Sequence, residues 1–162
     1  MDLEKTPLND VLIVMMSAIG DAVHVLPVVS ALKRHSPECR ITWVLQPGPA
    51  GLVHGHPLVD EILTFHRSRG LSAFRDVLRE LRERRFDVLL ALQVSFKAGV
   101  IVGFSDVPVR LGFNWRRSRD LNFLFTNRRI RARPDQHVQD QYFEFLRALG
   151  VPDWPVEWEL GP

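Results

Sequence analysis

The sequence Asp10-Val-Leu-Ile-Val-Met-Met16 is apolar after its first residue, runs into Ser17-Ala-Ile-Gly-Asp21, and is followed at once by a helix-forming stretch. An unbroken apolar run of this length reads as a strand buried on both faces, and such strands belong to parallel sheets covered by helices. In those sheets the carboxyl ends of the strands form the ligand crevice, so residues 17–21 lie where chemistry is done. The bend is assigned to Gly20, and Asp21 is the only acid in the turn.

The remaining chain repeats the pattern. Period analysis predicts strands over residues 10–16, 40–45, 61–65, 87–92 and 109–112, alternating with helices over 22–34, 71–84, 96–102 and 135–149. In the last helix Val138, Tyr142, Phe145, Leu146 and Leu149 make the apolar stripe, and Gly150 stops it as a left-handed cap. Pro27 either kinks the first helix or sits in a late-starting first turn. The tail, residues 151–162, reads as an extended exit strand. At 162 residues, 46% hydrophobic and 25% charged, the chain is expected to be one α/β domain over residues 1–162. No stretch approaches the roughly 20 apolar residues of a membrane span, no leader is recognisable, and Cys39 is the sole cysteine, so a cytoplasmic setting is expected.

Four segments, in order, resemble glycosyltransferase family 9, the ADP-heptose:lipopolysaccharide heptosyltransferases. Ser17, Gly20, Asp21, His24 and Pro27 match a S-x-x-G-D-x-x-H-x-x-P run joining the first strand to the first helix. Residues 86–99, FDVLLALQVSFKAG, resemble D-x-x-x-D-x-Q-G-x-x-K-S with Gln93 and Lys97 in register, although Ala91, Val94 and Ala98 replace the second Asp, the Gly and the Ser. Residues 110–130 resemble an R-x-G-F…R-E…L-x-F-x-x-R segment, with Asp120 for Glu after Arg119, and residues 137–151 resemble H-V-V-D-R-Y-L-x-L-L-x-A-L-G. The resemblance implies a Rossmann-like parallel sheet with helices on both faces, the N-terminal, acceptor-side half of a GT-B fold. A C-terminal nucleotide-sugar domain would lie outside this chain. It also implies an inverting transfer of heptose from ADP-heptose to the Kdo inner core of lipopolysaccharide, with the acidic acceptor sugar as partner and a peripheral contact at the inner-membrane surface.

By that resemblance Asp21 is the general base, and a carboxylate within reach of the attacking hydroxyl suits the chemistry. From position alone, Asp21 reads more readily as a helix cap, the usual role of Asp at a helix start. Ser17, with the amides of Ile19 and Gly20, reads either as an anion site at the helix mouth or as a turn hydroxyl. His24 contacts sugar, orients the carboxylate, or packs. Gln93 and Lys97 follow a strand end and are expected to point into the same crevice, as hydroxyl and anion partners. Residues 67–133 hold 16 Lys and Arg against 6 Asp and Glu, and Arg67, Arg69, Arg117 and Arg119 suit anion capture. The six histidines are scattered without zinc spacing, there is no G-x-G-x-x-G after the first strand, and there is no G-x-S-x-G. No metal or cofactor is expected. The alternative reading is a non-catalytic module whose Arg-rich face, centred on residues 127–134, binds an anionic polymer or nucleic acid. It lacks interleaved aromatics for base stacking, so nucleic acid is not the expected partner.

Overall fold

Val11, Leu12, Ile13 and Val14 are all completely buried, because the strand they form is the third of six and is covered on both sides. The computed structural model describes residues 2–114, 122–131 and 137–158. In chain order these contain β1 (Asp10–Val14), α1 (Ile19–His35), β2 (Arg40–Leu45), α2 (Pro47–Val53), β3 (Glu61–Thr64), α3 (Leu71–Arg82), β4 (Val88–Ala91), α4 (Phe96–Phe104), β5 (Val109–Gly112), β6 (Arg128–Arg129) and α5 (Val138–Ala148). Short 3-10 turns lie at Leu3–Lys5, Arg67–Arg69 and Asn122–Phe125. The strands pair in parallel in the order β3-β2-β1-β4-β5-β6. This is the Rossmann order, and the direction of winding reverses between β1 and β4, where such sheets open a crevice.

The two-residue period of the strands divides the core into two layers. Val11, Ile13 and Met15, with Ile41, Trp43 and Leu45, face the layer formed by α1, α2 and α5. Leu12, Val14 and Met16, with Leu89 and Ala91, face the layer of α3 and α4. The α/β class and helices on both faces are therefore as the sequence implied.

Several local expectations are corrected. The first helix begins at Ile19, earlier than residue 22, so Pro27 lies inside it rather than in its first turn. There the Val23 carbonyl lacks its helical N–H donor, since proline has none. Gly20 is already helical, has no left-handed φ, and a Cβ built on it meets no atom within 4 Å. The bend does not require glycine. Helix α2 and strand β6 are absent from the sequence reading: a seven-residue helix with four Gly or Pro residues carries little periodicity, and a two-residue strand carries none. Residues 151–158 form no strand. Instead this tail lies against α1, with Arg34 paired to Glu157 and stacked 5.8 Å from the Trp154 ring, while His56 donates to the Trp158 carbonyl at 3.2 Å.

Helix α5 ends as expected. Gly150 has φ +78°, its N–H donates to the Arg147 carbonyl at 3.0 Å, and the Val151 N–H donates to the Leu146 carbonyl at 2.9 Å. These two bonds define a Schellman cap, and Leu146 and Val151 are both buried beneath it.

Candidate active site

The residues following β1 are held from both sides. Trp43 Nε1 donates to the Met15 carbonyl at 3.0 Å and the Gln46 N–H to the Met16 carbonyl at 2.9 Å, from the β2 side. From the β4 side, the Leu92 N–H donates to the Val14 carbonyl at 3.2 Å, and Gln93 Oε1 accepts the Met16 N–H at 2.7 Å. The Ser17–Ala18 peptide, which is cis, follows this clamp directly and leads into α1. A site built here inherits the rigidity of the sheet's centre.

Ala18 occupies the N-cap position of α1 and has no side-chain oxygen to cap with. Asp21, at the third helical position, supplies the reciprocal bond: its Oδ2 accepts the Ala18 N–H at 3.1 Å. Asp21 therefore does cap the helix, from N3 rather than from the N-cap, with one oxygen. Among the described residues the other oxygen has no hydrogen-bond partner. It belongs to a carboxylate lining a depression of about 370 Å³ at the carboxyl edge of the sheet, together with Ser17, Gln93, Phe113, Gln141 and Tyr142. Ser17 is half-buried, and its hydroxyl makes no hydrogen bond to a described residue. Gln93 has its oxygen committed to Met16, which leaves its Nε2 donors for the depression.

In the sequence Tyr142 stands out only as part of an apolar stripe. Its residue is 5% exposed, yet it lines the depression beside Asp21. Burial, and after it the negative charge of Asp21, push the phenol above its ordinary pKa, so it stays a protonated donor. A tyrosine among phenylalanines on a helix facing the crevice was the only available signal.

His24 does not line the depression. Its Nδ1 lies 3.3 Å from Gln139 Oε1, its carbonyl accepts from Gln139 Nε2 at 2.9 Å, and its ring meets that of His137 edge-on at 5.6 Å. These contacts dock the start of α5 on α1 and so bring Tyr142 to Asp21. Lys97 is exposed on the first turn of α4 and does not line the depression either, so Gln93 and Lys97 do not share it. The reason is the turn between them: α4 lies against the sheet face opposite α1 and α5.

The described arginines do not form one face. Arg67 and Arg69 follow β3 at the carboxyl edge, where Arg69 pairs with Asp76 at 2.9 Å. Arg84 is at the opposite end of the sheet and holds Glu61, the first residue of β3, with Nε 2.9 Å from Oε2. Arg110 is turned inward, donating to the Phe125 and Val107 carbonyls at 3.0 and 2.9 Å. Arg128 and Arg129 donate to the backbone carbonyls of Asn127 and Thr126. Arg117 and Arg119 lie outside the described residues. Among the described residues no three His, Cys, Asp or Glu side chains gather as a metal site, and no helix is long and apolar enough to cross a membrane.

The chain is similar to known proteins in both sequence and fold. The profile of glycosyltransferase family 9 (heptosyltransferase) matches residues 74–161, more than half of the chain. The chain is 31% identical over 148 residues to the lipopolysaccharide core heptosyltransferase OpsX of Haemophilus influenzae, covering 91% of this chain and 42% of that protein. It is 28% identical over 151 residues to lipopolysaccharide heptosyltransferase 1 of Escherichia coli K12, covering 86% of this chain and 47% of that one. The chain thus spans less than half the length of these relatives. Among solved structures, E. coli heptosyltransferase WaaC with ADP-2-deoxy-2-fluoro heptose superposes with a TM-score of 0.81 at 24% identity, over 93% of this chain and 52% of WaaC. The family 9 glycosyltransferase of Veillonella parvula superposes with a TM-score of 0.78 at 22% identity, over 94% of this chain and 43% of its own. The structural likenesses show a shared fold, and the profile match over more than half of the chain establishes that the chain belongs to glycosyltransferase family 9.

Proposed function

We propose that this chain is the N-terminal, acceptor-binding half of an inverting glycosyltransferase that moves heptose from ADP-heptose to the Kdo inner core of lipopolysaccharide. In this reading residues 1–162 form a single Rossmann-like domain of a GT-B fold, and a separate nucleotide-sugar domain holds the donor. The observation that carries it is the Asp21 carboxylate: half of it is engaged in the helix cap and half is open to a depression at the carboxyl edge of a parallel sheet. Inversion requires an acceptor hydroxyl to attack the anomeric carbon from the face opposite the leaving nucleotide. Asp21 accepts the proton of that hydroxyl as the new bond forms. Its cap bond to Ala18 holds the carboxylate in place, and the amides of Ile19 and Gly20 with Ser17 line the helix mouth. Gln93 offers Nε2 to a sugar oxygen. Arg67, Arg69, Arg117, Arg119 and Lys97 supply positive charge for the acidic acceptor, and His24 acts by docking α5 rather than by touching sugar. A lipid-anchored acceptor would draw the chain to the cytoplasmic surface of the inner membrane.

Calorimetric titration of the chain with a deacylated, Kdo-terminated lipid A glycan and, separately, with ADP tests this. Glycan binding that weakens at least about 10-fold between 50 and 500 mM salt is expected, because exposed charge pairs are screened over that range. ADP is expected not to bind. Binding of ADP without binding of the glycan would overturn the assignment, and tighter binding to nucleic acid than to the glycan would favour the polymer-binding alternative.

A further inference from the structure

Phe143 and Phe145, which follow Tyr142 along α5, fill the core without a polar atom, so packing alone does not call for a phenol at Tyr142. A buried tyrosine ordinarily gives its hydroxyl a hydrogen-bond partner. Here the ring is more than nine-tenths buried, and among the described residues the hydroxyl has no partner. Tyr142 lines the depression beside Asp21, whose negative charge acts on the phenol.

The depression therefore presents an acceptor flanked by donors. Asp21 can only accept, Gln93 has its oxygen taken by Met16 and can only donate, and the Tyr142 hydroxyl is held as a donor by its surroundings. We propose that Tyr142 is an acceptor-binding residue whose phenolic hydroxyl donates to a sugar oxygen next to the hydroxyl that Asp21 deprotonates. The site then reads a run of sugar oxygens, of which one gives a hydrogen bond to Asp21 and its neighbours receive them from Tyr142 and Gln93. A site that hydrogen-bonds a hydroxyl discriminates against the analogue lacking it, because the buried donor is left unpaired. Tyr142 is accordingly a specificity residue, and this role rests on the proposed acceptor function of the depression.

Tyr142 is the only tyrosine in the chain, so labelling with 13Cζ-tyrosine gives a single resonance. Titration with the deacylated Kdo-terminated glycan is expected to move that resonance together with the amide signals of Ile19 and Gly20. Tyr142→Phe should bind the glycan about 5- to 10-fold more weakly, the loss of one hydrogen bond, and should melt no lower than the wild type, since the hydroxyl makes no bond to a described residue. If the glycan moves the two amides but leaves the tyrosine resonance in place, and Tyr142→Phe binds equally well, the role of Tyr142 is refuted while the acceptor reading stands. If neither the amides nor the tyrosine respond, both fall together. A clearly lower melting temperature for Tyr142→Phe would make the hydroxyl structural and would also overturn the proposal.

Discussion

Asp21 caps α1, and the base role proposed for it uses the same carboxylate. A carboxylate at N3 accepting the N-cap N–H is stabilised by the positive end of α1, and its second oxygen remains available to a substrate. The two roles separate by substitution. Asparagine can still accept the Ala18 N–H, so Asp21→Asn should keep stability within about 0.5 kcal/mol, whereas Asp21→Ala, which loses the bond, should cost on the order of 1 kcal/mol. In a two-domain enzyme containing this chain, an amide cannot take the hydroxyl proton, and transfer by Asp21→Asn should fall about 10²- to 10⁴-fold. Thermal melts and initial rates on both variants check this, and near-normal turnover by Asp21→Asn would refute the base assignment. Gly20 offers a second test nearby. It is helical, without a left-handed φ and with open space at Cβ, so Gly20→Ala should raise stability by about 0.4–1 kcal/mol through the unfolded chain's lost freedom. A melting temperature below wild type would restore the turn-glycine reading.

At the scale of elements, what could be read in advance follows from how much period each element carries. Strands β2 and β5 fall on the residues expected, because Ile41 to Leu45 is apolar but for Thr42 and Val109 to Leu111 alternates apolar, charged, apolar, each bounded by charge or turn residues. Helices α3 and α5 were visible through one-sided burial, Ala73, Val77 and Leu81 in the first and Tyr142, Phe145 and Leu146 in the second. Helix α2 and strand β6 escaped since neither is long enough to show a repeat. The site was legible in the same unequal way. Ser17, Asp21 and Gln93 come together because a strand end fixes each of them. Lys97 was misplaced because the turn after Gln93 sends α4 to the other face of the sheet, which four residues of sequence do not reveal. His24 and Gln139 are 115 residues apart, and their pairing, which sets the position of Tyr142, exists only in three dimensions.

For the whole molecule, the consequence of a six-stranded sheet shared by two apolar layers is that neither layer can open without exposing the other face of the same strands. Val11, Ile13 and Met15 belong to one layer, and Leu12, Val14 and Met16, their immediate neighbours, to the other. The chain should therefore unfold as one cooperative unit, with tryptophan fluorescence and far-ultraviolet circular dichroism following a single transition. Cys39 reports the same event chemically. It is the sole cysteine, is 1% exposed, and sits just before β2, where Lys33 donates to its carbonyl and bridges to Asp60 at 2.8 Å. Burial pushes its thiol up to about 11, with Lys33 opposing the shift and Asp60 adding to it. Since the thiolate is the reactive form, Cys39 should resist a thiol reagent at pH 8 in the folded chain and react only as fast as the chain opens globally. The sign of the pH effect follows from the raised value: the folded state favours the protonated thiol, so this contribution to stability is complete below the ordinary value near 9.0 and is lost as pH rises from there through about 11. Cys39→Ala should accordingly remove that alkaline component while leaving the neutral-pH transition cooperative. Labelling of Cys39 at pH 8 well before the fluorescence transition would mean that β2 and its flanking turn open separately, and the single-unit account would fail.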